Sequence, residues 1–159
     1  MRHYLVRDVM TADPTTVTPA TPLKDVADIL VRQRIGVVPV VTPQGRVAGV
    51  VTEADLLRKE RLQRDPEGRH STHLPYRIRR NIATAETAGE LMDRYPATVP
   101  ADTSVAEAAR LMDRHQSRFL LATGEDGKLL GVVTARDLLR VFLRPDGDIK
   151  AEIVSALGP

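Results

Sequence analysis

The chain contains one segment twice, and this internal repeat limits the folds that it can adopt. Residues 49–57 read GVVTEADLL, and residues 131–139 read GVVTARDLL, 82 positions further along. The same shift, without a gap, relates Met10 to Met92. A unit of about half the chain is therefore written twice. We expect two copies packed about a pseudo-two-fold axis, so that any site built by one copy has an equivalent in the other.

The composition favours a cytoplasmic protein with an aliphatic core. Of the 159 residues, 42% are hydrophobic but only 3% are aromatic, so Val, Leu, Ile and Ala must fill the interior. Cys is absent, which excludes disulfides and thiolate metal sites and suits a reducing compartment. The first residues contain no long apolar run, so the sequence predicts neither a signal peptide nor a membrane span. We expect a soluble protein of the cytoplasm.

Each copy has the local signals of a β-α-β-β-α unit. In the first copy, residues 15–18 form a β-prone run, and Thr21 is the expected N-cap of a helix with Pro22 at its first position. Residues 37–51 predict a β-hairpin, and a second helix is expected to begin at Thr52. The residues predicted to form the buried stripe of the first helix in the two copies are Leu23, Val26, Ala27 and Leu30, and Val105, Ala108, Ala109 and Met112.

Residues 6–59 and 88–143 resemble two copies of the cystathionine β-synthase (CBS) domain, which together form a Bateman module. The resemblance rests on the starts Asp8-Val9-Met10 and Glu90-Leu91-Met92, the strands Thr16-Val17 and Thr98-Val99, and a Gly-x-x-Thr-x-x-Asp signature in both copies. It implies an α/β (α+β) fold of two β-α-β-β-α repeats and a homodimer of modules. Residues 60–87 would be a basic connector, and 144–159 a helical tail that resembles the first helix of a BON domain.

The Thr and Asp of the signature allow two interpretations. Thr52 before a helix, with Asp55 three residues later, is a capping-box pattern, and such a cap contributes about 1 kcal/mol to stability. The same geometry also suits a nucleotide, because a helix N-terminus favours phosphate and a carboxylate accepts hydrogen bonds from the ribose hydroxyls. The two roles are compatible.

The resemblance implies that Thr52 and Asp55, or Thr134 and Asp137, hold the ribose of an adenine-containing ligand. AMP, ADP or ATP is the leading candidate, and S-adenosylmethionine or NAD is also possible. Adenine would lie in an apolar slot beside two neighbouring strands. The residues expected along these strands are Thr16, Val17 and Val37 in the first copy, and Thr98, Val99 and Phe119 in the second.

The two sites differ in charge. Arg118 and Arg136 of the second copy replace Gly36 and Ala54 of the first, whereas Glu53 adds a negative charge to the first copy. A guanidinium group near the start of a helix can bind a phosphate. We therefore expect phosphate-bearing ligands to favour the second site; in the alternative interpretation both arginines point into solvent.

The segment between the copies is basic. Residues 58–80 contain eight Lys or Arg and three Asp or Glu. Most such runs are solvated, and others contact phosphate, nucleic acid or a protein partner. With so few aromatic residues for base stacking, nucleic-acid binding is the less favoured interpretation. His70 and His73 stand three apart without an adjacent third ligand, so no metal site is predicted.

The sequence carries no motif for catalysis. It has no Cys nucleophile, no Gly-x-Ser-x-Gly elbow and no Gly-rich loop with Lys. Glu125 and Asp126 precede Gly127 in a predicted hairpin turn, where exposed carboxylates are poorly suited to acid–base chemistry. We expect no catalytic residue, and a regulatory module that acts on an unknown effector protein. The alternative is a ligand-free scaffold that serves dimerisation.

Overall fold

The structure is a computed structural model that describes residues 4–64 and 74–143. Its elements are α1 (Val6–Val9), β1 (Thr11–Ala12), α2 (Leu23–Gln33), β2 (Val37–Val41), β3 (Val47–Thr52), α3 (Glu53–Arg64), α4 (Tyr76–Thr84), α5 (Ala88–Leu91), β4 (Thr98–Pro100), α6 (Val105–His115), β5 (Phe119–Thr123), β6 (Leu129–Thr134) and α7 (Ala135–Phe142). The α/β (α+β) class predicted from the sequence is confirmed. Within the described residues, every helix is too short or too polar to cross a bilayer.

Two sequence predictions concern residues outside the described ranges. They are the expectation at His70 and His73, where no metal site is predicted, and the BON-like tail at 144–159. Part of the basic connector is described, because α3 extends to Arg64 and α4 begins at Tyr76.

The chain forms two compact units. Each unit contains most of one repeat together with the N-terminal segment of the other repeat. The described residues of the first-copy unit are 15–64 and 74–96, and those of the second-copy unit are 4–14 and 97–143. Helix α1, with which the first sequence repeat begins, therefore packs in the second-copy unit. Helix α5 packs in the first-copy unit in the same way. The repeats of the sequence and the units of the structure thus differ by an exchange of these N-terminal segments.

The second-copy unit contains a four-stranded sheet in the order β1-β6-β5-β4. Strands β5 and β6 form the predicted antiparallel hairpin, closed by a 3-10 turn at Glu125–Gly127. Strand β4 runs parallel to β5, and β1 lies antiparallel to β6 on the other side. The β-α-β-β-α order of the repeat is therefore present here, with β1 added from the other repeat.

The first-copy unit has a shorter sheet, and Pro39 explains part of the difference. Its hairpin β2–β3 is complete, but the predicted strand at 15–18 is reduced to one parallel bridge between Val17 and Val40. In the second copy, the Leu121 amide donates to the Ala97 carbonyl at 3.0 Å and extends the parallel ladder. Proline has no N–H to donate, so Pro39 cannot make the equivalent bond.

The first helix of each copy buries an apolar stripe, with two differences from the prediction. Helix α2 begins at Leu23 with Pro22 as its N-cap, so Thr21 is not the N-cap and Pro22 is not the first helical residue. The Thr21 hydroxyl instead accepts a hydrogen bond from the Thr18 amide at 3.1 Å, inside the preceding turn. In α6, Ala109 is exposed, because the buried face of the helix is narrower than the predicted stripe.

Each unit has its own aliphatic core. The buried members in the first-copy unit are Val17, Leu23, Val26, Leu30, Val38, Val40, Val51, Ala85 and Ala88. Those in the second-copy unit are Val6, Val99, Ala108, Met112, Leu120, Ala122, Val133 and Leu138. No aromatic side chain belongs to either set, as the composition requires.

Candidate functional site

The Thr and Asp of both signatures form reciprocal caps at the starts of α3 and α7. The Thr134 amide donates to Asp137 Oδ2 at 2.8 Å, and the Asp137 amide donates to the Thr134 hydroxyl at 3.2 Å. In the first copy the corresponding distances between Thr52 and Asp55 are 2.9 and 3.1 Å. The sequence prediction of two capping boxes is therefore confirmed. Each Asp keeps one carboxylate oxygen, Oδ1, outside the cap.

Asp137 is the more enclosed of the two carboxylates. The residue is only 8% exposed, and it is the one buried charged residue in the described part of the chain. Compared by side chain alone, Asp137 is 10% exposed and Asp55 is 19% exposed. A buried carboxylate needs hydrogen-bond partners or an opposite charge to offset its lost hydration.

Each of these carboxylates has an arginine partner that the sequence analysis missed. Arg140 Nη1 lies 3.2 Å from Asp137 Oδ1, and Arg58 Nη1 lies 3.7 Å from Asp55 Oδ1. Arg58 and Arg140 are themselves 82 positions apart, so the pair belongs to the repeat. An Asp followed three residues later by an Arg on a helix is a recognised stabilising pair, so the sequence did contain a usable signal.

Most of the first amide groups of α3 and α7 already donate hydrogen bonds within the protein. The Ala135 amide donates to the Arg118 carbonyl at 2.8 Å, and the Glu53 amide donates to the Gly36 carbonyl at 3.0 Å. With the Asp amide held by the cap, two of the first three N–H groups of each helix are paired. The arginine side chains, more than the helix N-terminus, are therefore left to attract a phosphate.

Among the remaining predicted site residues, Val37, Thr98, Val99 and Phe119 lie on strands, whereas Thr16 and Val17 lie on the segment that makes only the bridge to Val40. Phe119 and Val37 begin β5 and β2, and they pair with Thr134 and Thr52 across the hairpins. Val17 and Val99 are 6% and 1% exposed, and their side chains belong to the two cores. The neighbouring residues Thr16 and Thr98 are exposed, and the apolar adenine slot stays a prediction.

The charges around the two caps differ as the sequence indicated. Arg118 and Arg136 are both exposed, and within residues 4–64 and 74–143 neither guanidinium has a hydrogen-bond or ion-pair partner. In the first copy, Glu53 Oε1 lies 3.5 Å from the position that a Cβ atom of Gly36 would occupy. The second-copy site therefore has two available cations where the first-copy site has a carboxylate.

A model of the CBS domain family matches residues 6–61 and 88–144, which together are most of the chain. The chain belongs to the CBS domain family and contains a tandem pair of these domains. The tandem pair of CBS domains expected from the sequence is therefore confirmed. Pairs of CBS domains are generally regulatory modules, and some enzymes also carry them.

Comparison with known proteins gives relatives of two kinds. CBSX2, a chloroplastic CBS domain-containing protein of Arabidopsis thaliana, is 29% identical, and the match covers 89% of this chain and 64% of CBSX2. Arabinose 5-phosphate isomerase KpsF of Escherichia coli is 30% identical over 132 residues, which are 83% of this chain and 35% of the enzyme. This chain therefore spans about a third of KpsF and somewhat less than two thirds of CBSX2.

Solved structures of CBS pairs share the fold. The crystal structure of CBSX2 in complex with AMP matches with a TM-score of 0.71 and 27% identity, over 89% of this chain and 97% of that one. The CBS pair of protein MJ0100, in complex with 5′-methylthioadenosine and S-adenosyl-L-methionine, matches with a TM-score of 0.72. Its identity is 21%, so this second likeness supports the fold only.

Proposed function

We propose that this chain is a non-catalytic regulatory module that binds an adenine nucleotide or a related adenosyl ligand and acts on a partner protein. The observation that carries the proposal is the Asp137 carboxylate. It is buried at the start of α7, and only one of its oxygens is used in the cap. The other oxygen, Oδ1, is placed to accept a ribose hydroxyl if Arg140 moves. The AMP complex of the relative CBSX2 supports this ligand class.

The ligand that suits the second site best carries phosphate, so AMP, ADP or ATP is preferred over S-adenosylmethionine or NAD. Arg118 and Arg136 are exposed, and in the described part of the chain they have no carboxylate partner. A phosphate gains a charge-assisted hydrogen bond from such a guanidinium group. Glu53 makes the first site less suited to an anion.

The module is proposed to work as a cytoplasmic homodimer whose partner protein is unknown. Leu57 of α3 and Leu139 of α7 occupy equivalent positions in the repeat and are 70% and 58% exposed. Leucines exposed at equivalent places on two helices suit an interface between copies of the module. A ligand that prefers one arrangement of the dimer would shift the population toward that arrangement.

A ligand-free scaffold is the second candidate, and the caps themselves favour it. Both signature carboxylates already satisfy a helix terminus and hold an arginine without any ligand. Nucleic-acid binding through the basic connector is less favoured. Its supporting observation is α4, which carries Arg77, Arg79 and Arg80 and no acidic residue in its first turn.

The deciding experiment is calorimetric titration with AMP, ADP, ATP, S-adenosylmethionine and NAD, compared between the original protein and the Asp137→Asn variant. The amide oxygen of Asn can still accept the Thr134 N–H, but its NH2 group replaces the acceptor Oδ1. The cap is kept and the ribose contact is lost. We expect binding that falls at least tenfold in Asp137→Asn, while the thermal midpoint without ligand changes little.

Two further results complete the test. A ligand at about a hundred times its Kd should stabilise the fold by about 2.7 kcal/mol, which thermal denaturation detects independently. The matched variant Asp55→Asn should reduce phosphate-ligand binding less than Asp137→Asn does. If no ligand gives heat or thermal stabilisation, the scaffold replaces the sensor as the function.

A further inference from the structure

The guanidinium group of Arg140 contacts Asp137 Oδ1, the oxygen atom that would accept a ribose hydroxyl group. Asp137 Oδ2 accepts the Thr134 amide at 2.8 Å, and Oδ1 faces Arg140 Nη1 at 3.2 Å. The Arg140 side chain is 69% exposed, whereas the carboxylate that it contacts is only 10% exposed. The arginine therefore covers the outer side of an otherwise enclosed acceptor.

We propose that Arg140 is a built-in competitor of the ligand for the Asp137 carboxylate; this inference rests on the proposed nucleotide site. A carboxylate offers about four acceptor directions. The cap and the guanidinium use two of them on different oxygens. A ribose diol that donates two hydrogen bonds to this group meets an oxygen already held by a cation.

Displacement is feasible because the pair is exposed on the arginine side. Ion pairs with a solvated member are weak, so the competition lowers the affinity by about two- to fivefold and does not abolish binding. A neutral nucleoside bears this loss in full. A nucleotide gives the displaced guanidinium a new negative charge to interact with, so it recovers part of the loss. Arg140 thereby favours phosphorylated ligands over nucleosides.

The first copy contains a weaker form of the same arrangement. Arg58 lies 3.7 Å from Asp55 Oδ1, beyond hydrogen-bond distance, so it competes less. The competition is therefore strongest in the second copy, which also carries the two available arginines. Both features select anionic ligands at the same site.

The test compares adenosine and AMP in the Asp55→Asn background, which leaves only the second site intact. Arg140→Gln should tighten adenosine binding about two- to fivefold, the range expected for such an exposed pair. AMP binding should tighten less, or weaken. Since 2′,3′-dideoxyadenosine lacks both hydroxyl groups, its affinity should not respond to the substitution. Arg114→Gln is the control, because Arg114 is an exposed cation of α6 in the same unit and lies outside the predicted site.

Salt dependence gives a readout that a merely structural role would not change. Salt weakens the exposed ion pair but has little direct effect on an uncharged ligand. Adenosine affinity should therefore rise with ionic strength when Arg140 is present, and this rise should vanish in Arg140→Gln. Circular dichroism and the thermal midpoint of each variant establish that it is folded.

Two failures are distinguishable. If adenosine and AMP bind but Arg140→Gln leaves the adenosine affinity unchanged or lowers it, the competitor role is overturned and the nucleotide site stands. If neither ligand binds the folded protein with or without Arg140, both the inference and the proposed function are overturned. Adenosine binding that is detected only in Arg140→Gln would support both.

Discussion

The side chain of Met10 lies against the Cα atom of Gly131. A Cβ atom at Gly131 would come within 2.6 Å of Met10 Sδ and 2.7 Å of the Thr11 carbonyl oxygen. The signature glycine of the second repeat is thus covered by the N-terminal segment of the first repeat. Met92 covers Gly49 in the same way, at 2.7 Å from the corresponding Cβ position. The exchanged N-terminal segments of the repeats make both of these close contacts.

The first prediction concerns these close contacts. Gly131→Ala should destabilise the protein by about 1–3 kcal/mol, because the new methyl group meets both a side chain and a backbone oxygen that cannot easily move. Gly49→Ala should behave alike, since its Cβ would lie 2.5 Å from the Asp93 carbonyl oxygen. Denaturant unfolding followed by circular dichroism measures both changes.

Gly36→Ala is the matched control for this prediction. A Cβ atom there would find its nearest neighbour, Glu53 Oε1, at 3.5 Å, which is an ordinary contact. Its unfolding free energy should therefore stay within about 0.5 kcal/mol of the original protein. Equal losses for Gly36→Ala and Gly131→Ala would contradict the steric explanation.

The exchange of segments shows what the sequence could and could not predict. Repetition and hydrophobic patterns were enough for the hairpins, for α2, α3, α6 and α7, and for both capping boxes, because these depend on neighbours in the chain. Helices α1, α4 and α5 were not predicted. Which unit Met10 packs in depends on a tertiary contact with Gly131, more than a hundred residues away. No local pattern records that contact.

The shortened strand of the first copy has a different cause. Residues 15–18 have good β-propensity, but the partner strand carries Pro39, so only the Val17 bridge forms. The sequence contained the proline, and its missing N–H predicts this loss once the parallel partner is known. The resemblance implied that the two strands are neighbours, but their parallel pairing became known only from the structure.

The candidate site was predicted in part. The pairing of Thr134 with Asp137 follows from their spacing, and the structure confirms it. Burial of the Val17 and Val99 side chains was not foreseen, because a single short strand pattern does not tell which residues reach the core. The ligand contacts of all these residues stay predictions.

The second prediction concerns the stability that the Thr134 hydroxyl group contributes by capping α7. Thr134→Val removes the hydroxyl that accepts the Asp137 amide while it keeps the side-chain shape. The loss of one N-cap acceptor should cost about 0.5–2 kcal/mol of unfolding free energy. Thr134→Ser keeps the hydroxyl and should retain most of the stability.

Chemical denaturation of the three proteins measures this effect. If Thr134→Val is as stable as the original protein, the hydroxyl does not cap α7 in solution. The equivalent change Thr52→Val should give a similar loss, because the cap distances in the two copies agree within 0.1 Å.

The third prediction concerns the two available cations of the second site. The double variant Arg118→Gln with Arg136→Gln should weaken AMP and ATP binding about tenfold, which corresponds to about 1.4 kcal/mol. Adenosine binding should change much less, because the nucleoside has no phosphate for these side chains to contact. Calorimetric titration with all three ligands makes the comparison.

Arg114→Gln is the control for charge alone. Arg114 is an exposed arginine of α6 in the same unit, and it lies outside the predicted site. Its removal lowers the net charge by one unit without touching the cap of α7. If Arg114→Gln weakens AMP as much as the double variant does, long-range attraction explains the preference for phosphate.

The fourth prediction tests the proposed homodimer. Leu57→Glu combined with Leu139→Glu should convert a dimer into a monomer, because buried carboxylates without partners oppose association. The two side chains are largely exposed within one chain, so the substitutions should leave the fold of each unit intact. Sedimentation analysis gives the oligomeric state, and circular dichroism verifies the fold.

Val31→Glu is a suitable control for the proposed interface. Val31 is 77% exposed, and it lies on α2, not on α3 or α7. Dissociation by Val31→Glu but not by the double variant would move the interface to α2. A protein that is monomeric before any substitution would refute the dimer directly.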